Sequence, residues 1–159
     1  MRKTFERCPG RGGFTAVELI VALGIVALLA AVFLPALGRT APRRSVQAAR
    51  DAFAGLHASA RASAIQYGRT TRLRIQPPSR AWVEVDATGG RVDTLGHVLR
   101  FDERFDGVSV SATATTLCFG PRGLPVAMGT CPTTEAVVIF RKANAADTVT
   151  INAAGQLRR

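Results

Sequence analysis

The sequence predicts an α+β fold: a long N-terminal helix, apolar in its first half and amphipathic in its second, packed on a small antiparallel β-domain. Three observations lead there. Residues 14–37 form one nearly unbroken apolar run. Residues 45–67 are rich in Ala and repeat their apolar positions at three- and four-residue steps. After Gly68 the pattern changes to period two, cut at short intervals by Gly, Pro, Asp and Asn. A helix followed by several short strands is the α+β pattern.

In the apolar run, FTAVELIVALGIVALLAAVFLPAL, only Thr15 and Glu18 are polar. A helix of this length rises about 1.5 Å per residue and reaches across a hydrocarbon core of roughly 30 Å. It exceeds the apolar stretch of a secretory signal, typically about 7–15 residues. Arg2, Lys3, Arg7 and Arg11 precede it and Arg39, Arg43 and Arg44 follow, so flanking charge orients it only weakly. Pro35 lacks an N–H, and either kinks the helix near its end or marks the place where it leaves the membrane. Glu18 is the anomaly, since a carboxylate this far into an apolar segment costs a few kcal/mol on insertion scales.

The second helix is expected over Ser45–Tyr67, with Val46, Ala49, Phe53, Leu56, Ala60, Ser63 and Tyr67 on one face and Gly68 as the stop. A break is expected near Gly38–Pro42. His57 is expected at the surface or partly packed, with no second metal ligand at helical spacing. Strands are expected at 71–75, 81–85, 98–101, 108–112, 116–119, 136–140 and 148–152, with 88–90 as a turn. Trp82 and Tyr67 read as structural residues.

The junction Gly13-Phe14-Thr15-Ala16-Val17-Glu18, with Gly12 before it, resembles the class III leader junction of type IV pilins and type II secretion pseudopilins. Further along stand Leu56, Ala60-Arg61, Ala64-Ile65 and Gly68. Trp82-Val83, Cys118-Phe119-Gly120-Pro121-Arg122-Gly123 and Ile151-Asn152 with Gly155-Gln156-Leu157-Arg158 follow. Together these resemble the GspH/FimT family of minor pseudopilins and minor pilins. Gln156 departs from it, since many FimT-like members carry a basic residue directly after that glycine.

The resemblance implies a pilin-like architecture: leader 1–13, transmembrane helix 14–38, stem helix 39–68 and periplasmic β-domain 69–159. It implies cleavage by prepilin peptidase between Gly13 and Phe14 and N-methylation of Phe14. It also gives Glu18 a role in assembly, as counterpart to the new terminal amine of its own or a neighbouring subunit. The helix-dipole end adds to that attraction. The implied partners are other pseudopilins or pilins, met through the N-terminal helix, together with the peptidase and the bacterial inner membrane. The implied protein is a structural subunit of the type II secretion pseudopilus; the alternative is a type IV pilus minor pilin serving pilus biogenesis or DNA uptake. A competing reading is an ordinary signal-peptidase cut within Leu34–Ala41, releasing a soluble periplasmic protein.

Cys8 falls in the leader, which leaves Cys118 and Cys131 in the exported part. An even count there reads as a disulfide, worth about 3 kcal/mol for a loop of this length, with two free thiols as the alternative. The charge is +10, carried by 19 Arg and two Lys against 11 acidic residues. Loss of the leader lowers it to +7. Arg141, Lys142, Arg158 and Arg159 are candidate DNA contacts, together with Arg61, Arg69, Arg72 and Arg74. The competing reading, scattered charge on a solvated face, stands ahead of it. Aromatic residues make up only 6%, so base-stacking platforms are not apparent. Two His and three Cys exclude the larger metal clusters, and no catalytic motif is present. Neither enzyme activity nor a metal or other cofactor is expected.

Overall fold

In the computed structural model, residues 15–87, 91–129, 131 and 134–158 are described, the side chains of 34–40 excepted. The expected turn at 88–90 lies outside them. The chain forms two units, Met1–Arg39 and Thr40–Arg159.

One helix, α1, runs from Ala16 to Tyr67. Helical structure continues through 38–42, so the expected interruption there is not found. Pro35 and Pro42 each remove a backbone donor without ending the helix. Gly68 ends it. At φ +60° it stands in the left-handed region, Arg69 N–H bonds the Ala64 carbonyl and Gly68 N–H bonds that of Ile65. This is the Schellman arrangement, which satisfies the orphan carbonyls of the last turn.

Among the described residues the β-domain has eight strands and a one-turn helix: β1 Thr71–Gln76, β2 Arg80–Asp86, β3 Val92–Arg100, α2 Phe101–Arg104, β4 Ser109–Ala112, β5 Thr116–Phe119, β6 Ala136–Lys142, β7 Ala145–Ile151 and β8 Leu157–Arg158. They form two antiparallel four-stranded sheets, β3-β2-β1-β5 and β4-β6-β7-β8. The chain crosses between the sheets at 113–115, where Thr113 N–H bonds Val137 and Ile75 N–H bonds Thr115. Alternation holds in each sheet: Thr71, Leu73 and Ile75 are buried in β1, and Ala136, Val138 and Phe140 in β6.

The second half of α1 covers both sheets in succession. Phe53 packs its ring on Phe140 of β6, with centroids 5.6 Å apart. One turn on, His57 meets Phe119 of β5 edge-on at 5.3 Å. Farther still, the buried Thr71 hydroxyl donates to the Ala60 carbonyl at 2.7 Å.

The buried face of α1 is Val46, Ala49, Phe53, His57, Ala60 and Ala64. Eighteen residues in five steps give 3.6 per step, the α-helical period. The expected face advanced by 3.5, and that mismatch drifts about 20° per heptad. It therefore agrees at Val46–Phe53, misses His57 for Leu56 and Ala64 for Ser63, and ends at Tyr67, which is exposed. The imidazole of His57 is thus buried, not at the surface, because it follows Phe53 by one turn on the core stripe.

Other elements shift by a few residues. The strand expected at 98–101 begins at Val92 and stops before Phe101, which enters α2 and packs on Phe140. His97 stands exposed in β3. β7 begins at Ala145 because pairing with β6 overrides the weak strand preference of Ala145, Ala146 and Asp147.

Candidate functional site

The first part of the site is the apolar half of α1. Thr15 precedes the first helical residue, and its Oγ1 accepts the Glu18 N–H at 3.2 Å. Thr-x-x-Glu is the spacing of a capping box, and this bond is its forward half. The spacing is legible in the sequence. Glu18 thus has a backbone amide that closes the helix start, while its exposed carboxylate has no partner among the described residues. Ala16–Phe33 is long and apolar enough to cross a membrane, and none of it is buried. Val17, Ile20, Leu28 and Val32 stand about 70% exposed. Gly13 and Phe14, the expected cleavage junction, lie outside the described residues.

The second part fastens the amphipathic half of α1 to the β-domain. Arg61 reaches out of the helix and forks, Nε donating to the Gly123 carbonyl at 2.9 Å and a terminal nitrogen to that of Gly155 at 3.2 Å. A planar guanidinium suits two diverging acceptors. Both glycines have φ near +70°, and both sit too close to neighbours for a side chain. A Cβ on Gly123 would stand 2.8 Å from Ile65 Cδ1, and one on Gly155 2.8 Å from Pro125 Cδ. Asn152 shapes the last turn, its Oδ1 accepting from the backbone of Ala154 and Gln156. Residues scattered through the sequence therefore form one junction of stem helix, β5 loop and C-terminal turn. Nothing in the spacing of Arg61 pointed to this; only the family resemblance grouped it with the glycines.

Cys118 of β5 is joined to Cys131 by a disulfide across the loop that carries Gly123, with Cα atoms 5.8 Å apart. Within that loop Gly120 N–H bonds Leu124, Val126 N–H bonds Cys118, and Met128 and Cys131 exchange two backbone bonds. Beneath it lies His57, whose Nε2 is buried without a hydrogen-bond partner. Burial, and then the nearby Arg61 charge, lower its pKa from 6.5 to about 4.

The candidate DNA contacts are not brought together. Arg141 and Lys142 lie at the β6–β7 turn, whereas Arg158 is paired opposite Thr150, which faces Val137. Four residues of strand separate the two places, about 13 Å. Lys142 is bridged to Asp106 and also donates to Ser45 Oγ. Arg159 lies outside the described residues. Elsewhere Arg72 pairs with Asp86, Arg74 with Thr116 and Glu84, and Arg50 with Asp51 and Asp147. Arg69 meets the Asp86 carbonyl. Among the described residues no group of three or more His, Cys, Asp or Glu could hold a metal ion.

Two crystal structures of the type IV minor pilin FimU of Pseudomonas aeruginosa share this fold. One matches with TM-score 0.57 and 17% identity over 73% of this chain and 88% of FimU. The other gives 0.53 and 19% over 70% and 90%. No curated protein sequence matches. The family model described as type II transport protein GspH matches residues 49–155, the stem of α1 and nearly all of the β-domain. That is about two thirds of the sequence, and it contains the Arg61 junction, the disulfide and every strand but β8 of the two sheets. The chain belongs to the GspH family and has a pilin fold.

Proposed function

We propose that the chain is a minor pseudopilin, a structural subunit of the type II secretion pseudopilus that supports protein export. In this reading prepilin peptidase removes residues 1–13, Phe14 becomes the N-methylated terminus, and 14–38 anchors the subunit in the inner membrane with its β-domain in the periplasm. Other pilin-like subunits are its partners, met through the same apolar segment.

One observation carries the reading: an apolar helix with no buried residue, long enough to cross a membrane, bears a lone carboxylate in its first turn and continues into the helix that packs one face on a GspH-family domain. The seventeen residues of this segment other than Glu18, left in water, would forgo burial worth roughly 1.5–3 kcal/mol for each large side chain, so lipid or neighbouring helices must cover them. An acidic group in that environment needs a cation, and the amine of Phe14 supplies one about a helical turn away.

The pilus reading is supported by the fold shared with FimU. Nucleic-acid binding gains no support, because the candidate contacts are split between two ends of a sheet and Lys142 is neutralised.

The test is Glu18→Gln in cells that carry the rest of the machine. We expect unchanged removal of residues 1–13 and loss of the subunit from sheared or cross-linked filaments. Normal incorporation would contradict the amine–carboxylate pairing.

A further inference from the structure

We propose that the end of the β-domain where the chain leaves the apolar segment is a docking surface for anionic phospholipid headgroups. This rests on the reading of residues 14–38 as a membrane span.

Two stretches far apart in sequence meet at that end. The start of the amphipathic helix brings Arg43 and Arg44; the β6–β7 hairpin brings Arg141. They meet where Lys142 donates to Ser45 Oγ, where Arg50 bridges Asp147 at 2.7 Å, and where Arg43 lines a shallow pocket with Asn144, Ala145 and Asp147. The acidic side chains in this region are already engaged: Asp147 and Asp51 with Arg50, and Asp106 with Lys142. Arg43, Arg44 and Arg141 are exposed and have no ion pair among the described residues. The internal pairs therefore use up the local carboxylates and leave Arg43 and Arg44 exposed on the helix and Arg141 exposed on the outer face of β6, at the same end of the domain.

Chain length fixes what those groups can meet. Arg43 follows Leu37, the last of the apolar run, by only six positions, about 9 Å at helical rise. The headgroup layer adds roughly 5–8 Å beyond the hydrocarbon on each side, and an arginine side chain reaches the remainder. Guanidinium groups bind phosphate through paired N–H donors, and basic residues beside a span are attracted to anionic lipid. The patch would hold an unassembled subunit against the bilayer until extraction into a filament breaks these contacts.

The full chain, reconstituted in vesicles of phosphatidylcholine alone or with phosphatidylglycerol, tests this by amide hydrogen exchange. Exchange at 43–50 and 141–147 should slow by about tenfold with the anionic lipid. The slowing should vanish at about 0.5 M salt, where screening reaches within a few Å, and in the R43Q/R44Q/R141Q variant. The salt arm uses the native chain, so a variant that folds poorly does not decide the matter. Equal exchange in both vesicle types, with the chain still resistant to alkaline carbonate, would overturn this proposal alone. A chain washed out by carbonate would overturn the membrane reading beneath it. Slowing by duplex DNA in neutral vesicles, without slowing by phosphatidylglycerol, would assign the patch to nucleic acid and overturn the lipid proposal.

Discussion

The two halves of α1 are built from similar residues and meet opposite surroundings. In 16–33, leucines, valines and isoleucines cover every side of the helix and none is buried. In 46–64, a single stripe from Val46 to Ala64 is buried, Leu56 packs at its margin and the rest is polar or small. A stripe answers a protein surface on one side; an all-round apolar sheath answers lipid or a bundle of like helices. The difference shows that this helix is specified by two solvents, and that its first half is complete only in an environment the subunit does not itself provide.

Breaking either half alone sharpens the contrast. Phe53→Ala should have the largest effect, about 3–5 kcal/mol of lost stability in denaturant unfolding, because its ring is fully buried against Phe140. Membrane retention should not change. Val26→Arg should do the reverse, costing about 3 kcal/mol of insertion free energy. It should release the protein from membranes in carbonate extraction and leave the unfolding of the β-domain unaltered.

A third test uses acid. His57 has a folded pKa of about 4 against 6.5 when unfolded. Between those values the unfolded chain takes up a proton that the folded chain refuses, so stability falls as pH drops from about 6.5 to 4, by roughly 3 kcal/mol. Above pH 7 the contribution is level. His57→Leu should remove this part of the slope when unfolding curves of the two proteins are compared across the range.

Smaller effects separate fastening from capping. Arg61→Lys keeps the charge but loses the fork onto Gly123 and Gly155, and should cost about 1–2 kcal/mol in thermal unfolding. Thr15→Ala removes the cap on Glu18 N–H and should cost the first turn of the apolar half about 1 kcal/mol, read as faster amide exchange there.

The apolar half was legible from composition, because lipid imposes a demand that sequence displays directly. Strand positions were legible where alternation is clean, as in β1 and β2, and where a short run of strand-forming residues is bounded by turn residues, as in β5 and β6. What escaped was set by distant pairing. Ala145–Asp147 joins β7 only because β6 lies alongside. Leu157–Arg158 forms β8 through the turn that Asn152 organises. The division into two sheets depends on the chain changing sheet between β3 and β4, between β4 and β5 and between β5 and β6, and the crossing at 113–115 carries no local signal. His57 was misplaced by a period error of a tenth of a residue per step. Among the candidate site residues, Cys118 and Cys131 are joined as a pair, while the basic residues could not be grouped without knowing which strand ends coincide.

The central claim is that the apolar half of α1 becomes the N-terminus of a processed, membrane-held subunit. Intact-mass measurement with N-terminal sequencing of the membrane-extracted protein tests it most directly. A chain beginning at Phe14 and carrying one added methyl group is predicted. A chain still bearing residues 1–13, or one beginning beyond Leu34, would contradict it.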